Sequence, residues 1–223
     1  MENNGKIAII LGATGETGKI LLKLLLEDQR YTKLIVFGRR SVGFTNDKLQ
    51  EFIIDLFELD KYQSQFIADE VFCCIGTTKA KTPNKDDYRK IDYGIPTISA
   101  RLCSENKIDT YLVISALGAN ANSRVFYNRV KGEMEIEVLA RNIPNTYILQ
   151  PSLIAGPREE KRAMEYLGKL MFRLLNPLLF GRFKKYRSIE SSTIANAMIW
   201  LANGSYKSGI IRSDQIQALG ESR

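Results

Sequence analysis

Gly12-Ala13-Thr14-Gly15-Glu16-Thr17-Gly18 is the stretch on which the fold turns. The apolar run Ile7 to Leu11 leads into it, and the amphipathic run Lys19 to Glu27 leads out of it. A strand that enters a glycine-rich turn and leaves as a helix builds an anion site. The first turn of a helix has unpaired N–H groups and a partial positive charge. Glycines there permit the tight turn and the close approach of a pyrophosphate. The spacing Gly12-x-x-Gly15-x-x-Gly18 departs from the G-x-G-x-x-G dinucleotide pattern. A strand-to-helix turn with no ligand reads the same way, so the rest of the chain has to decide.

The rest of the chain keeps the rhythm that this turn begins. Apolar runs at Lys6–Leu11, Lys33–Phe37, Glu51–Asp55, Glu70–Ile75, Thr110–Ser115, Thr146–Gln150 and Ser208–Ile211 are expected as strands. Between them, helices are expected at Thr17–Gln29, Leu59–Phe66, Lys85–Asn106, Ser123–Arg141 and Ser191–Asn203. The strands are continuous apolar runs, as expected when both faces of a sheet are covered. Their alternation with helices predicts an α/β fold with a doubly wound parallel sheet. The 223 residues are expected to form one domain, 1–223, a size that buries roughly 70% of its unfolded surface. The segment 158–187 is too long for a simple connection and is an insertion after the sixth strand. Its Met164, Tyr166, Leu170, Met171 and Phe172 suit a substrate pocket, a packing stripe or an amphipathic face for a partner or membrane.

Composition narrows the chemistry. The chain has no histidine, which removes His-based triads and imidazole metal sites. It has no C-x-x-C pair either, so no metal site is expected. Three cysteines without a framework spacing fit a reducing compartment. Cys73 and Cys74 are neighbours in an expected strand, which points them to opposite faces as small hydrophobes. The N-terminal residues show no signal-peptide h-region, and no apolar run is long enough to span a membrane. The expected location is cytoplasmic, with no stable membrane insertion. The net charge of +7 is scattered, with one denser patch from Arg182 to Arg187 that reads as a solvated face. No nucleic-acid partner is expected.

Nucleotide identity is read at the end of the second strand. NAD-preferring sites place an acidic residue there, and NADP-preferring ones an arginine near the 2′-phosphate. The chain has Phe37-Gly38-Arg39-Arg40. A guanidinium pairs a phosphate bidentately and stacks on adenine, so NADP (NADPH) is the expected cofactor. A surface Arg-Arg pair is the alternative. Asp55 and Leu56 close the third strand where an adenine edge would lie. Gly76-Thr77-Thr78 closes the fourth with backbone free to approach the cofactor.

The fifth strand ends at Ser115, and Tyr127 and Lys131 follow on an expected helix. Positions i and i+4 share a helix face, so both side chains can meet at one site. Hydride delivery to a carbonyl leaves an alkoxide that needs a proton. A tyrosine hydroxyl can supply it, although a free phenol has a pKa of about 10. A nearby ammonium favours the phenolate. The same lysine could hold the nicotinamide ribose, and Ser115 could hydrogen-bond the substrate oxygen. An ordinary surface Tyr–Lys pair has the same spacing. Ser123, a second candidate serine, is expected as the N-cap of the helix that carries Tyr127.

Together these pieces resemble a short-chain dehydrogenase/reductase, and within that superfamily the atypical branch of the Tat-interacting oxidoreductase-like proteins. The resemblance rests on Gly12 to Gly18, Phe37 to Arg40, Cys73 to Thr78, Ser115 with Gly118-Ala119, Tyr127-x-x-x-Lys131-Gly132-Glu133 and Gln150-Pro151-Ser152. It implies a Rossmann-type domain, a Ser115, Tyr127, Lys131 triad, and a Pro151-Ser152-Leu153-Ile154 segment bordering the nicotinamide. Many members place an asparagine where this chain has Asp92, and an aspartate cannot donate as an amide does. The expected function is hydride transfer between NADPH and a small carbonyl or alcohol substrate. An NADPH-sensing regulatory protein is the alternative. A sugar-nucleotide enzyme ranks below both, because the short C-terminal region leaves little room to clasp such a substrate. A homodimer through helices suits a sheet of this class, and no residue decides it.

Overall fold

A computed structural model describes residues 5–155 and 187–222. The expected insertion at 158–187 therefore lies outside the described residues, Arg187 excepted. In chain order the elements are β1 (Lys6–Leu11), α1 (Glu16–Glu27), β2 (Tyr31–Gly38), β3 (Leu49–Ile53), a 3₁₀ helix (Leu56–Gln65) and β4 (Glu70–Cys73). There follow α2 (Lys85–Arg89), a π-helical turn (Lys90–Gly94), α3 (Ile95–Glu105), β5 (Thr110–Ile114), α4 (Phe126–Leu139) and β6 (Asn145–Gln150). The chain closes with β7 (Ile154–Ala155), β8 (Ile189–Glu190), α5 (Ser191–Asn203), β9 (Gly209–Arg212) and α6 (Ser213–Glu221).

Among the described residues the main sheet has seven strands in the order β3-β2-β1-β4-β5-β6-β9. Every pairing in it is parallel. This is the doubly wound, Rossmann-type α/β sheet that the sequence predicts. Alternate residues of each strand feed two cores. Ala8 and Ile10 of β1 pack with Leu21, Leu22 and Leu25 of α1 and with Ile194 and Met198 of α5. Ile9 and Leu11 pack on the other face with Ala100 and Leu102 of α3 and Met134 and Val138 of α4. Cys73 joins this second core, whereas Cys74 lies against Met198 on the first. Burial raises both thiols above their ordinary range, so neither is a ready thiolate.

Several expected elements differ, among them β3, which ends at Ile53 and so leaves Asp55 and Leu56 beyond the strand they were expected to close. The helix expected at Leu59–Phe66 is a 3₁₀ helix that starts earlier, because the Asp55 carboxylate accepts from Phe57 N at 3.0 Å and sets its start. The helix expected over Lys85–Asn106 is interrupted by the π-helical turn. Strand order reverses between β1 and β4, and a crevice opens beyond their carboxyl ends. That is where doubly wound sheets bind ligands.

Candidate active site

The glycine-rich turn lies at the mouth of this crevice. Gly12 has φ +84°, which a side chain would strain, and its carbonyl accepts from Gly15 N at 2.9 Å. A Cβ on Gly18 would lie 2.1 Å from Gly12 O, so only glycine lets α1 pack this close to the turn. Gly15 stands at the N-cap of α1 with no side-chain cap, and Glu16 opens the helix. The first amides are thus left to solvent or to an anion. Ala13 and Thr17 are buried, and Thr14 is exposed. This cradle fits a dinucleotide pyrophosphate.

Thr14, Gly38, Arg39, Arg40 and Leu56 line one cleft with Gly12 and Ala13. Both arginines are exposed. The structure thus brings the second-strand arginines to the glycine turn, as the sequence suggests. Leu56 contributes to the cleft wall, whereas the Asp55 carboxylate serves the 3₁₀ cap.

At the end of β4, Thr77 N donates to Asp92 Oδ2 at 2.8 Å. Thr78 O accepts from Lys81 N and Thr82 N, which closes a turn. Gly76 lies over the centre of the site. A Cβ there would stand 3.6 Å from Asp92 Oδ1 and 3.8 Å from Lys131 Nζ.

Lys131 and Asp92 form a buried ion pair in the crevice. Nζ lies 2.9 Å from Asp92 Oδ1 and donates to Ile114 O at 3.2 Å. Lys131 is 2% exposed and Asp92 0%. Burial alone would lower the Lys131 ammonium. Asp92 and then Tyr127 raise it, and the net direction is up. Asp92 therefore supplies Lys131 with a counter-ion, a role that the sequence reading did not assign.

Tyr127 lies one turn before Lys131 and is 37% exposed. Its ring stands edge-on to Tyr88, with centroids 6.0 Å apart. Burial, with Asp92 and Tyr127 nearby, holds the Tyr88 hydroxyl well above its ordinary value. Tyr88, 3% exposed, forms a wall beside Tyr127. Ser123 is not the cap of α4. The helix starts at Phe126 after Val125, and Ser123 Oγ accepts from Val125 N at 3.1 Å in the preceding turn.

Ser115 follows β5 directly, and its N donates to Leu149 O at 2.7 Å. Its buried hydroxyl donates to Glu135 Oε1. Glu135 also takes Gln150 Nε2 on both carboxylate oxygens, each at 3.0 Å. Burial raises the Glu135 carboxyl, against Ser115, Gln150 and Lys131, which all lower it. The sequence reading missed Glu135, although it stands four residues after Lys131, the spacing that selects Lys131 itself.

Pro151, Leu153 and Ile154 follow β6 at the same end of the sheet. Pro151 O accepts from Leu117 N at 2.9 Å, beyond Ser115. Leu153 is half-exposed, and Ile154 pairs with Ile189 in the small second sheet.

No protein-family model matches the chain. Protein HTATIP2 from Rattus norvegicus is 32% identical over 171 residues, covering 75% of this chain and 70% of its own length. Protein FMP52-1, mitochondrial, from Scheffersomyces stipitis is 32% identical over 163 residues, 70% of this chain and 71% of its own. Among solved structures, the Bordetella bronchiseptica enzyme WbmG in complex with NAD superposes with a TM-score of 0.68 at 12% identity. It covers 94% of this chain and 73% of WbmG. At that identity the likeness shows the fold alone. The cytoplasmic expectation is overturned by the relatives, since FMP52 proteins of several yeasts are mitochondrial by name. Unpaired thiols report a reducing environment and carry no address. Among the described residues no helix is long and apolar enough to cross a membrane.

Proposed function

The chain belongs to the family of protein HTATIP2, within the short-chain dehydrogenase/reductase superfamily, and on that premise we propose that it is an NADP-dependent oxidoreductase acting on a small carbonyl or alcohol. The observation that carries the reading is the buried Lys131–Asp92 pair at 2.9 Å, beneath Gly76 and one helical turn from Tyr127. A buried ammonium beside a half-exposed phenol is what proton transfer at a reacting oxygen requires.

In this reading the amides of Gly12 to Gly18 hold the pyrophosphate. Arg39 and Arg40 take the 2′-phosphate, and Leu56 borders the adenine. Gly76, Thr77, Thr78, Pro151, Leu153 and Ile154 border the nicotinamide, which when bound supplies or accepts hydride. Tyr127 gives its hydroxyl proton to the oxygen of the reduced carbonyl. Lys131 stabilises the phenolate that remains, and Asp92 holds the ammonium in place. Ser115 hydrogen-bonds the same substrate oxygen. Tyr127→Phe is expected to abolish NADPH oxidation across a panel of aldehydes and ketones while NADPH still binds. Turnover at the wild-type rate in that variant would overturn the reading.

A second reading is a dinucleotide-binding protein without turnover. It is favoured by Ser115 and Lys131 being engaged by Glu135 and Asp92. NADPH binding with no oxidation by any carbonyl of the panel selects this second reading.

A further inference from the structure

A serine hydroxyl carries one proton, and in this structure the Ser115 proton is directed to Glu135. A hydroxyl so engaged offers a substrate only lone pairs. It can accept from an alcohol, but it cannot polarise a carbonyl. We propose that Glu135 is the positioning residue for Ser115: as a carboxylate it holds the serine proton, and as a carboxylic acid it donates to Ser115 Oγ and turns that proton toward a substrate carbonyl. The proposal rests on the oxidoreductase reading and assigns the greater activity to the acid form of the pair.

The geometry is built for such an exchange. Ser115 directly follows β5, and Gln150 ends its paired strand β6. Glu135 reaches them from α4 on the stripe that carries Tyr127 and Lys131. Gln150 donates into both oxygens of Glu135 and so fixes the plane of the carboxyl group. Among the described residues the groups facing Glu135 are the Ser115 hydroxyl, the Gln150 amide and, from its own helix, the Lys131 ammonium, itself paired with Asp92. Glu135 is 5% exposed, and burial raises its carboxyl toward the range in which the acid form persists. Protonation at Oε1 reverses one hydrogen bond. No covalent bond to serine changes, and the proton delivered to the substrate still comes from Tyr127. The acid form therefore serves both directions, because carbonyl reduction and alcohol oxidation pass through one transition state with charge on that oxygen.

Glu135→Gln tests this because its amide mimics the acid. The NH2 group donates to Ser115 Oγ and the carbonyl accepts from Gln150 at every pH. In pH-difference infrared spectra of the ligand-free protein, a carboxylic C=O band should titrate above the ordinary carboxylate range. The band should be absent in Glu135→Gln and move to higher pH in Ser115→Ala, where the carboxylate has lost a donor. With NADPH and phenanthrenequinone, wild-type kcat/KM should fall as pH rises through that same titration. Glu135→Gln should lack that limb and exceed the wild type several-fold at its alkaline end. A wild-type pH profile in Glu135→Gln overturns the proposal, as does a band that Ser115→Ala leaves in place. No turnover by the wild type with the quinone or with any carbonyl of the panel overturns the oxidoreductase reading instead, while the infrared titration still decides whether Glu135 and Ser115 are coupled.

Discussion

A lysine ammonium with almost no exposed surface persists only beside a counter-charge. Lys131 has Asp92, and the carboxylate is held in turn by Thr77 N. Removing one partner of a buried pair leaves the other charge uncompensated. Asp92→Ala is expected to cost about 3–5 kcal/mol of stability, read from urea unfolding near neutral pH. Asp92→Asn keeps the acceptor for Thr77 N and removes only the charge, so it isolates the electrostatic part. In the wild type the folded Lys131 value is raised. Its contribution is full below the ordinary lysine range and is lost as pH rises through the folded value. In Asp92→Asn burial acts without the carboxylate, the folded value drops below the ordinary one, and stability rises with pH through that interval. A wild-type alkaline slope in Asp92→Asn would mean that Tyr127 or another group holds the ammonium.

At the scale of elements, the amino end of the sheet, opposite the crevice, is closed by a polar staple. Glu70 at the start of β4 is buried. It is paired with Lys6 of β1 and accepts from Tyr31 Oη of β2 at 2.6 Å. Asn203, at the end of α5, donates to Tyr31 Oη at 2.7 Å and accepts from Lys6 Nζ at 2.9 Å. Burial raises Glu70 despite Lys6 and Tyr31, which lower it. A raised carboxyl binds more protons folded than unfolded. Its contribution is therefore complete below the ordinary carboxylate range and is lost as pH rises through the folded value. Glu70→Gln should remove that part of the pH dependence in denaturant midpoints taken from acid to neutral pH. An unchanged slope would assign it to Glu135. The order of strands and helices was legible because most strands carry a continuous apolar run; β3, Leu49-Gln50-Glu51-Phe52-Ile53, is the exception. The break in the helix expected over Lys85–Asn106 had a signal that went unread. In a continuous helix the Pro96 ring would meet the carbonyl of Asp92, four residues back. The chain widens into the π-helical turn instead, where Ile95 N donates to Lys90 O. That widening carries Asp92, so the sequence contained its carboxylate but not the inward path that brings it to Lys131. The staple was illegible for a related reason. Lys6, Tyr31, Glu70 and Asn203 have no spacing in common, and only the amino end of the folded sheet collects them.

The sheet thus has a closed end and an open one, and ligand should act on the open one. A ligand that binds only the folded chain adds about 2.7 kcal/mol when present at a hundredfold excess over its Kd. NADPH is therefore expected to raise the midpoint of thermal unfolding, and to raise it more than NADH at equal concentration. The difference should come from Arg39 and Arg40, which share the cleft with the glycine turn. Arg39→Ala should lose most of the NADPH excess and keep the shift due to NADH. Gly18→Ala acts on what the two nucleotides share. Its Cβ would sit 2.1 Å from Gly12 O, so α1 has to move off the turn and the pyrophosphate cradle opens. Both shifts should then disappear, together with some ligand-free stability. Equal shifts by NADPH and NADH in the wild type would remove the 2′-phosphate role from Arg39 and leave the turn its own. No shift with either nucleotide would make the turn a packing device, in which Gly18 serves only the close approach of α1 to β1.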